Sequence, residues 1–303
     1  MGDGVRLEDV RQVSFGLVNQ EHPAFSPDGK RLSWYAGPYG AIQVYVANAD
    51  GTALRPLTCA KGNHTQAAWS ADGTHVYYRA QHENAGPWRI ERANVEVPEE
   101  KAVLLEDGKT SFKHPSPSPD GRWLAWFSDL GTPGNFHLWK APLSEKGLGK
   151  PIRLTDDRNR NDCHPTWSPD GARLAFHAYM GVSEAVTSHV FTCTADGADL
   201  RQLTDTEAFH KHPFFVGRDL VVHHTEPANG ARFLALRRAG DGTYVGDLTS
   251  GKHNDKHPSP HVPARGPVRI AFSSKKRGIE VPGAAEKSYD VFVGTLAGVA
   301  VRR

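Results

Sequence analysis

Short stretches in which polar and apolar residues alternate recur along the whole chain, bounded by glycine, proline and aspartate. Residues 31–35 (RLSWY) and 173–176 (RLAF) are two examples. Alternation with a period of two is typical of a strand that buries one face, and the bounding residues are those that tight turns require. Glycine and proline make up 30 and 21 of the 303 residues, which argues against long helices. The pattern predicts an all-β protein.

The alternating stretches belong to an internal repeat. Six similar segments begin at His22, Gln66, His114, His164, His212 and His257, and three of them contain a Ser-Pro-Asp-Gly turn. Their starting points lie 44 to 50 residues apart, which suits one four-stranded propeller blade and is too long for a leucine-rich or ankyrin unit. The repeat therefore indicates a β-propeller.

Each repeat contains four strand signals, and the fourth commonly ends in Leu-Thr, as at residues 55–58, 152–155 and 201–204. The sixth repeat supplies only three, the last at residues 289–293, and the missing copy lies near the N-terminus as residues 11–15 (RQVSF). An N-terminal strand in that position would complete the last blade and remove the open sheet edges. We expect a single domain, residues 1–303, folded as a six-bladed propeller of four-stranded blades.

The Ser-Pro-Asp-Gly turns and the terminal Leu-Thr strands resemble the repeat of TolB-type propellers, also described as WD40-like or PD40 repeats. The resemblance covers nearly the whole chain, from Arg11 to about Gly294. It implies the propeller fold and, as a default role, a protein-interaction scaffold. The chain departs from periplasmic TolB in having no visible secretion signal or separate N-terminal domain, and in its many histidines. Oligogalacturonate lyases offer an analogy, since their propeller centre is similar in holding histidine and glutamine metal ligands.

Composition narrows the class of protein further. Lys and Arg number 36 against 34 Asp and Glu, a balance that argues against a nucleic-acid partner. There is no run of 18 apolar residues, so we expect no membrane span. With no signal peptide visible and three cysteines that cannot all pair, we expect a cytoplasmic protein with reduced thiols.

The repeat aligns histidine residues in one register. Five of its six members are histidine although the chain has only 16 in 303 residues, and each of these five precedes a proline. The first strand of a propeller blade lines the central channel, so equivalent residues on it form a ring around the axis. Proline restricts the residue before it, and we expect an extended backbone at each histidine.

Imidazoles that converge on one axis would repel one another if protonated, so they either stay neutral and bridge water or bind a cation. Imidazole is a good ligand for divalent Mn, Fe, Ni, Zn and Cu. The metal-ligand hypothesis names the whole register: either a metal of higher coordination number uses most of its members, or three or four of them coordinate and the others support these ligands. Its residues are His22, Gln66, His114, His164, His212 and His257. The alternative interpretation is a water-filled channel whose histidines bond to the blade backbone.

Basic and other polar residues are expected on the same face of the propeller as the start of the first strands. A basic rim would attract a small anionic molecule into the central funnel. The candidate substrate-binding residues are Lys113, Arg158, Arg160, Lys256 and Lys275, with the long loop 273–290 beside them. The candidate acid–base residues are His210, Lys211, His224 and Glu226, which the sequence does not rank.

Two functions of different classes follow. The first is a metalloenzyme of lyase or hydrolase type that acts on a small anionic substrate at the histidine cluster. The second is a non-catalytic TolB-like scaffold that binds a protein partner. No serine-hydrolase elbow, phosphate-binding glycine loop or zincin motif is present in the sequence.

Overall fold

The computed structural model describes residues 4–82, 86–181, 187–275 and 288–303. Regular structure within these ranges consists of 25 β-strands. No helix in the described ranges is long and apolar enough to cross a membrane.

The described strands pair into five sheets. One of these sheets joins two four-stranded antiparallel units through a single parallel bridge between Ser188 and Phe209, so the described strands group into six antiparallel units of four principal strands. The first strands of the units are β2 (Glu21–Phe25), β6 (Asn63–Trp69), β10 (Phe112–Pro117), β15 (Arg160–Trp167), β19 (Phe209–Val216) and β23 (Lys256–His261). The second strands are β3 (Arg31–Ala36), β7 (His75–Gln81), β11 (Trp123–Ser128), β16 (Arg173–Met180), β20 (Leu220–Glu226) and β24 (Arg269–Ser274).

The outer half of each unit is less regular. The third strands are β4 (Gln43–Asn48), β8 (Arg89–Asn94), β12 (His137–Ser144), β17 (Thr187–Thr194), β21 (Phe233–Arg238) and β25 (Asp290–Ala297). The fourth strands are β1 (Arg6–Gln12), β5 (Arg55–Pro56), β9 (Lys101–Leu105), β14 (Ile152–Arg153), β18 (Arg201–Gln202) and β22 (Tyr244–Asp247), with β13 (Gly147–Leu148) pairing beside β14 on β12. Every first strand contacts the first strands of the two neighbouring units, so these strands surround a central axis. This is the all-β propeller that the repeat predicts.

Neighbouring units pack face to face through apolar side chains. Val44 and Val46 of the first unit share one buried cluster with Val76 and Tyr78 of the second. Full burial of a side chain of this size stabilises the fold by about 1.5–3 kcal/mol. Each unit therefore depends on its two neighbours for a covered apolar face.

The Ser-Pro-Asp-Gly turns fix the register of the first two strands. Ser118 Oγ donates a hydrogen bond to Asp120 Oδ1 at 2.6 Å and accepts one from the Trp123 amide at 2.9 Å. The same pair of bonds recurs in the turns that begin at Ser26, Ser70 and Ser168. The repeated motif is thus explained by turn chemistry.

The N-terminal strand completes the last unit, because β1 pairs with β25 as its outermost strand. The Ser14 hydroxyl accepts a hydrogen bond from the Val291 amide at 2.7 Å, just as the Thr58 hydroxyl accepts one from the Val44 amide at 2.9 Å. The alignment of residues 11–15 with the Leu-Thr strands is therefore confirmed. The strand itself lies further N-terminal than predicted, since a register shift between Glu8 and Arg11 lets the pairing continue to Arg6.

We expect deletion of residues 1–12 to lower the thermal midpoint of unfolding by about 10 °C or more and to cause self-association. The deletion exposes the edge of β25, a strand whose residues are mostly buried. Differential scanning calorimetry and size-exclusion chromatography measure both effects. Deletion of residues 1–4, which precede the strand, is the control, and a truncation at 12 that behaves like this control would contradict the closure.

Candidate functional site: a buried histidine ring on the propeller axis

Each ring residue lies at a β-bulge in its first strand. The pairing of β2 with β3 shifts register between Glu21 and Ala24, and the other five units shift at the equivalent point. The backbone there is left-handed, with φ of 50° to 56° at His22, Gln66, His114, His164, His212 and His257. A bulge re-aims a side chain, and left-handed backbone in a residue other than glycine is strained.

The expected extended backbone at these positions is wrong. Proline does follow each histidine, yet its restriction on the preceding residue is overcome by the bulge. Proline suits the bulge because it needs no hydrogen-bond partner for its nitrogen. The common geometry of all six copies is nevertheless as the register predicts.

The five imidazoles converge on the axis. The ring centroid of His22 lies 3.7 Å from that of His257 and 4.8 Å from that of His212. His164 lies 4.5 Å from His114 and 4.2 Å from His212. His22 and His164, in opposite units, are only 6.0 Å apart. The predicted meeting of imidazoles from separate blades is therefore observed.

Gln66 joins the ring through His164, since the side-chain amide nitrogen lies 2.6 Å from His164 Nε2. Other polar atoms of the ring are enclosed without a hydrogen-bond partner in the described structure. They are Gln66 Oε1 and the Nδ1 atoms of His114, His164, His212 and His257. Such atoms are costly to bury, so their convergence points to a bound group that would satisfy them.

The ring histidines are held neutral by their surroundings. Burial lowers the pKa of His114 to about 3, and it holds the pKa of His22, His164, His212 and His257 well below the ordinary value. Repulsion from neighbouring imidazoles, or from Arg79 in the case of His114, adds to the effect of burial. Neutral imidazole is the form that coordinates metal ions.

A second layer of side chains packs against the ring from the second strands. These residues are paired across the sheet with the residue that precedes each ring position: Tyr35, Arg79, Phe127, His177, His224 and Ser273. The His177 ring stacks on His164 at 4.8 Å and its Nδ1 accepts a hydrogen bond from the His212 amide. The His224 ring stacks on His212 at 5.0 Å. The layer therefore fixes the ring from behind.

Three groups of side chains have the donor spacing that a metal ion needs. His22, His212 and His257 form one, and Cys163, His164 and His177 form another beside it, with donor atoms within 4.8 Å of one another. Burial raises the pKa of the Cys163 thiol strongly, so this cysteine is protonated and a poor ligand. The third group, His64, His82 and Glu91, lies away from the ring, and Arg89 already pairs with its carboxylate.

The four candidate acid–base residues separate into different environments. His224 contacts the ring, whereas His210 bonds to Thr206 and Thr225 and lies beside His223 in a buried cluster of its own. Burial lowers the pKa of His210 to about 2. Lys211 Nζ lies 3.6 Å from Glu226, which also pairs with Arg232 at 2.7 Å. Contact with the ring thus favours His224 among the four.

The candidate substrate-binding cations differ in how they are compensated. Lys256 pairs with Glu21 at 2.9 Å, and Arg160 is enclosed with Asp162 at 2.7 Å. Arg158 is exposed in a turn. Lys113 lies 4.3 Å from the centre of the Phe136 ring, and Lys275 lies 4.8 Å from that of Tyr289. Residues 276–287 of the neighbouring loop lie outside the described residues.

The other side of the ring adjoins a cavity of about 320 Å³ that extends to the Ser-Pro-Asp-Gly turns. Its lining includes His22 and His114 at the ring, the indoles of Trp69 and Trp167, and several prolines. No charged side chain of the described residues lines it. The ring therefore separates two compartments. The apolar one lies on the side of these turns (the turn side), and the charged one lies on the opposite side, where the chain passes from one unit to the next (the connector side).

Sequence reasoning missed Arg79 and did not assign His177 or Tyr35 a role. All three lie at the same distance along the chain from their ring residues, so the repeat alignment itself carries the signal. The signal is weak because this register holds five different residue types in its six units.

Comparison with known proteins agrees with this architecture. No family model matches the chain. The chain is 29% identical over 208 residues to tricorn protease homolog 1 of Streptomyces coelicolor, covering 66% of this chain and 18% of that protein. It is 31% identical over 128 residues to the Tol-Pal system protein TolB of Anaeromyxobacter dehalogenans, covering 42% and 26% respectively. The chain thus spans about a quarter or less of the length of these two relatives.

Solved structures give the same class. TolB from Acinetobacter baumannii superposes with a TM-score of 0.61 at 14% identity, over 92% of this chain and 63% of that one. An oligogalacturonate lyase from Vibrio parahaemolyticus gives 0.56 at 13% identity over 97% of both chains. The fold and the ring define a β-propeller with a buried axial histidine cluster. In sequence and in fold the chain is similar to TolB-like propellers.

Buried neutral histidines make stability depend on pH. In an unfolded chain the histidine pKa is about 6.5, whereas in the folded chain burial lowers the pKa of His64, His137 and His223 to about 4. At pH values above the pKa of the unfolded chain, these histidines are neutral in both the folded and the unfolded state. At lower pH the unfolded chain binds protons that the folded chain does not bind, so the free energy of unfolding falls as the pH decreases from about 6.5 towards 4.

We expect His137→Leu to reduce this acid sensitivity by about 1 to 2 kcal/mol between pH 7.5 and pH 5. His137 is fully buried and neither ring nitrogen has a hydrogen-bond partner in the described structure. Urea unfolding at the two pH values measures the difference. His75→Leu, at the half-buried first residue of β7, is the control. If the free energy of unfolding of the His137 variant changes with pH as much as that of the wild type, buried His137 is not a cause of the acid sensitivity.

Proposed function

We propose that the axial cluster binds one divalent transition metal ion. The observation that carries this proposal is the approach of donor atoms from His22, His212 and His257 to within 4.8 Å of one another. The three residues come from the first, fifth and sixth units, so folding of the propeller brings them together before any ion binds. A preformed site of this kind loses little conformational entropy on binding.

The donor set selects the kind of metal. The ring consists of neutral imidazoles and one carboxamide, with no carboxylate among its six members. Calcium and magnesium prefer oxygen ligands, whereas imidazole suits Mn, Fe, Ni, Zn and Cu. The unpartnered atoms of His114, His164 and Gln66 lie beside the triad and supply further ligands or hydrogen bonds for a higher-coordinate ion.

We propose further that the site acts on a small anionic substrate by lyase or hydrolase chemistry. A divalent ion held by neutral ligands keeps its full positive charge and would polarise a substrate carboxylate. Lys113, Lys211 and Lys256 directly precede ring residues and would attract an anion from the connector side. His224, stacked on His212 and with its Nδ1 unpartnered in the described structure, is the neutral group best situated to accept a proton.

We expect protein purified without a histidine tag to contain about one equivalent of a transition metal, as measured by inductively coupled plasma mass spectrometry. The His22→Ala/His257→Ala double variant should lose this metal, because it removes two of the three converging donors. Removal of the metal by a chelator should destabilise the wild type, by about 2.7 kcal/mol relative to protein holding metal at a hundredfold excess over Kd.

His210→Ala is the matched control, since it removes a buried histidine that lies outside the ring. It should keep the metal. Circular dichroism establishes that each variant is folded. Folded wild-type protein that remains free of metal after incubation with Mn²⁺, Fe²⁺, Ni²⁺, Zn²⁺ and Cu²⁺ would end the proposal.

A second candidate function is the non-catalytic scaffold that binds a protein partner. The similarity to TolB favours it, as does the apolar cavity on the turn side, which opens where the Ser-Pro-Asp-Gly turns meet. A scaffold would keep its partner when His22 and His257 are replaced, whereas a metalloenzyme would lose turnover. Incubation of the metal-loaded protein with oligogalacturonate, the substrate named for the lyase of similar fold, is a first assay for products.

A further inference from the structure

Two cations beside the ring have no carboxylate partner in the described part of the chain. Arg79, on β7, and Lys113, at the start of β10, make no ion pair with any described carboxylate within 4.0 Å. By contrast, Lys211 pairs with Glu226 and Lys256 pairs with Glu21 on the same face. Among the half-buried cations next to ring residues, Arg79 and Lys113 thus lack the carboxylate partner that Lys211 and Lys256 have in the described structure.

Both cations are fixed in place by aromatic rings. The Arg79 guanidinium carbon lies 4.0 Å from the centre of the Trp88 ring, and its Nε donates a hydrogen bond to the Thr65 hydroxyl at 2.7 Å. The Lys113 ammonium lies 4.3 Å from the centre of the Phe136 ring. Cation–π contact holds a charge without neutralising it. The two terminal nitrogens of Arg79 have no hydrogen-bond partner among the described residues. They are therefore available to donate two parallel hydrogen bonds to one carboxylate.

The pair lies close to the ring. Thr65 and Lys113 immediately precede Gln66 and His114, and the charge of Arg79 contributes to the lowered pKa of His22, His114 and His164. Both side chains are half-buried, so solvent screens them only in part. Burial lowers the pKa of Lys113 and repulsion from Arg79 adds to this effect, so the two cations lie close enough to repel each other across the contact between β7 and β10. A fold that keeps two such charges together without a carboxylate is destabilised unless an anion joins them.

We propose that Arg79 and Lys113 form an anion-binding subsite that takes one carboxylate of a small organic acid. Arg79 binds the two carboxylate oxygens through its terminal nitrogens, and Lys113 supplies a second positive charge. Phosphate presents similar oxygen atoms, but the planar fork and the single ammonium fit a planar carboxylate better. As a substrate anchor the subsite rests on the proposed function, because the opposite end of the same acid would then reach the histidine ring. Anion binding itself does not require the metal.

The test uses the full chain in two forms, treated with chelator and loaded with metal. Malonate and inorganic phosphate are titrated by isothermal titration calorimetry at constant ionic strength, with chloride replacing the anion in the reference. We expect malonate to bind both forms, and Arg79→Gln to weaken its binding by about tenfold. Arg79→Lys keeps the charge without the fork and should fall between the two.

Lys140→Gln and Arg153→Gln are matched controls, since each removes a cation that lies over a tryptophan ring on the third unit and away from the axis. They should bind malonate like the wild type. Lys113→Gln provides an independent variant should Arg79→Gln fail to fold.

Equal malonate affinity in the wild type and in Arg79→Gln and Lys113→Gln would overturn the subsite. Binding of chloride with the same affinity as malonate would also overturn it. Tighter binding of phosphate than of malonate would overturn the carboxylate assignment. Malonate binding to the chelator-treated form alongside a failure to retain any metal would refute the metal proposal and leave the subsite standing.

Discussion

The site depends on one backbone feature that is repeated six times: a β-bulge with left-handed φ in the innermost strand of each unit. The bulge turns the side chain of the residue at its centre towards the axis, where a regular strand would direct alternate side chains between neighbouring sheets. His210 and His212 illustrate the difference, since they lie two residues apart and only His212 belongs to the ring. Local strain in each unit thereby creates a single shared site.

The surroundings of the ring make the imidazoles neutral and crowded together. Burial is the main cause of the lowered pKa in all five, and the close packing of like groups adds to it. His177 and His224 extend the same environment outward, while Glu21 is the carboxylate that approaches a ring member, 3.6 Å from His257 Nδ1. Imidazoles that stay unprotonated keep their nitrogen lone pairs available for coordination to a metal ion.

Most of the fold and the position of the ring could be predicted from the sequence, because both follow from one repeat. The period of the repeat predicted the propeller fold. The shared register of His22, His114 and the other ring residues predicted that they lie around the propeller axis. The left-handed backbone could not be predicted, since the proline after each histidine argues for extended structure when considered alone. Arg79 was missed for another reason: the residue type in its register varies between units, and its lack of a carboxylate partner among the described residues is a property of three-dimensional packing. Arg160 was misleading because Asp162, two residues away, neutralises it.

The opposed rings of His22 and His164, with centroids 6.0 Å apart, also bear on how molecules would travel through the toroid. Two rings at that separation, with three more imidazoles packed around them, leave no room for a molecule with a carbon skeleton to pass along the axis. The axis is therefore closed at the histidine ring. If a substrate binds on the lysine-bearing side, as proposed, its product would have to leave from that same side. Turnover would then be slowed by departing product that competes with incoming reactant for the same passage.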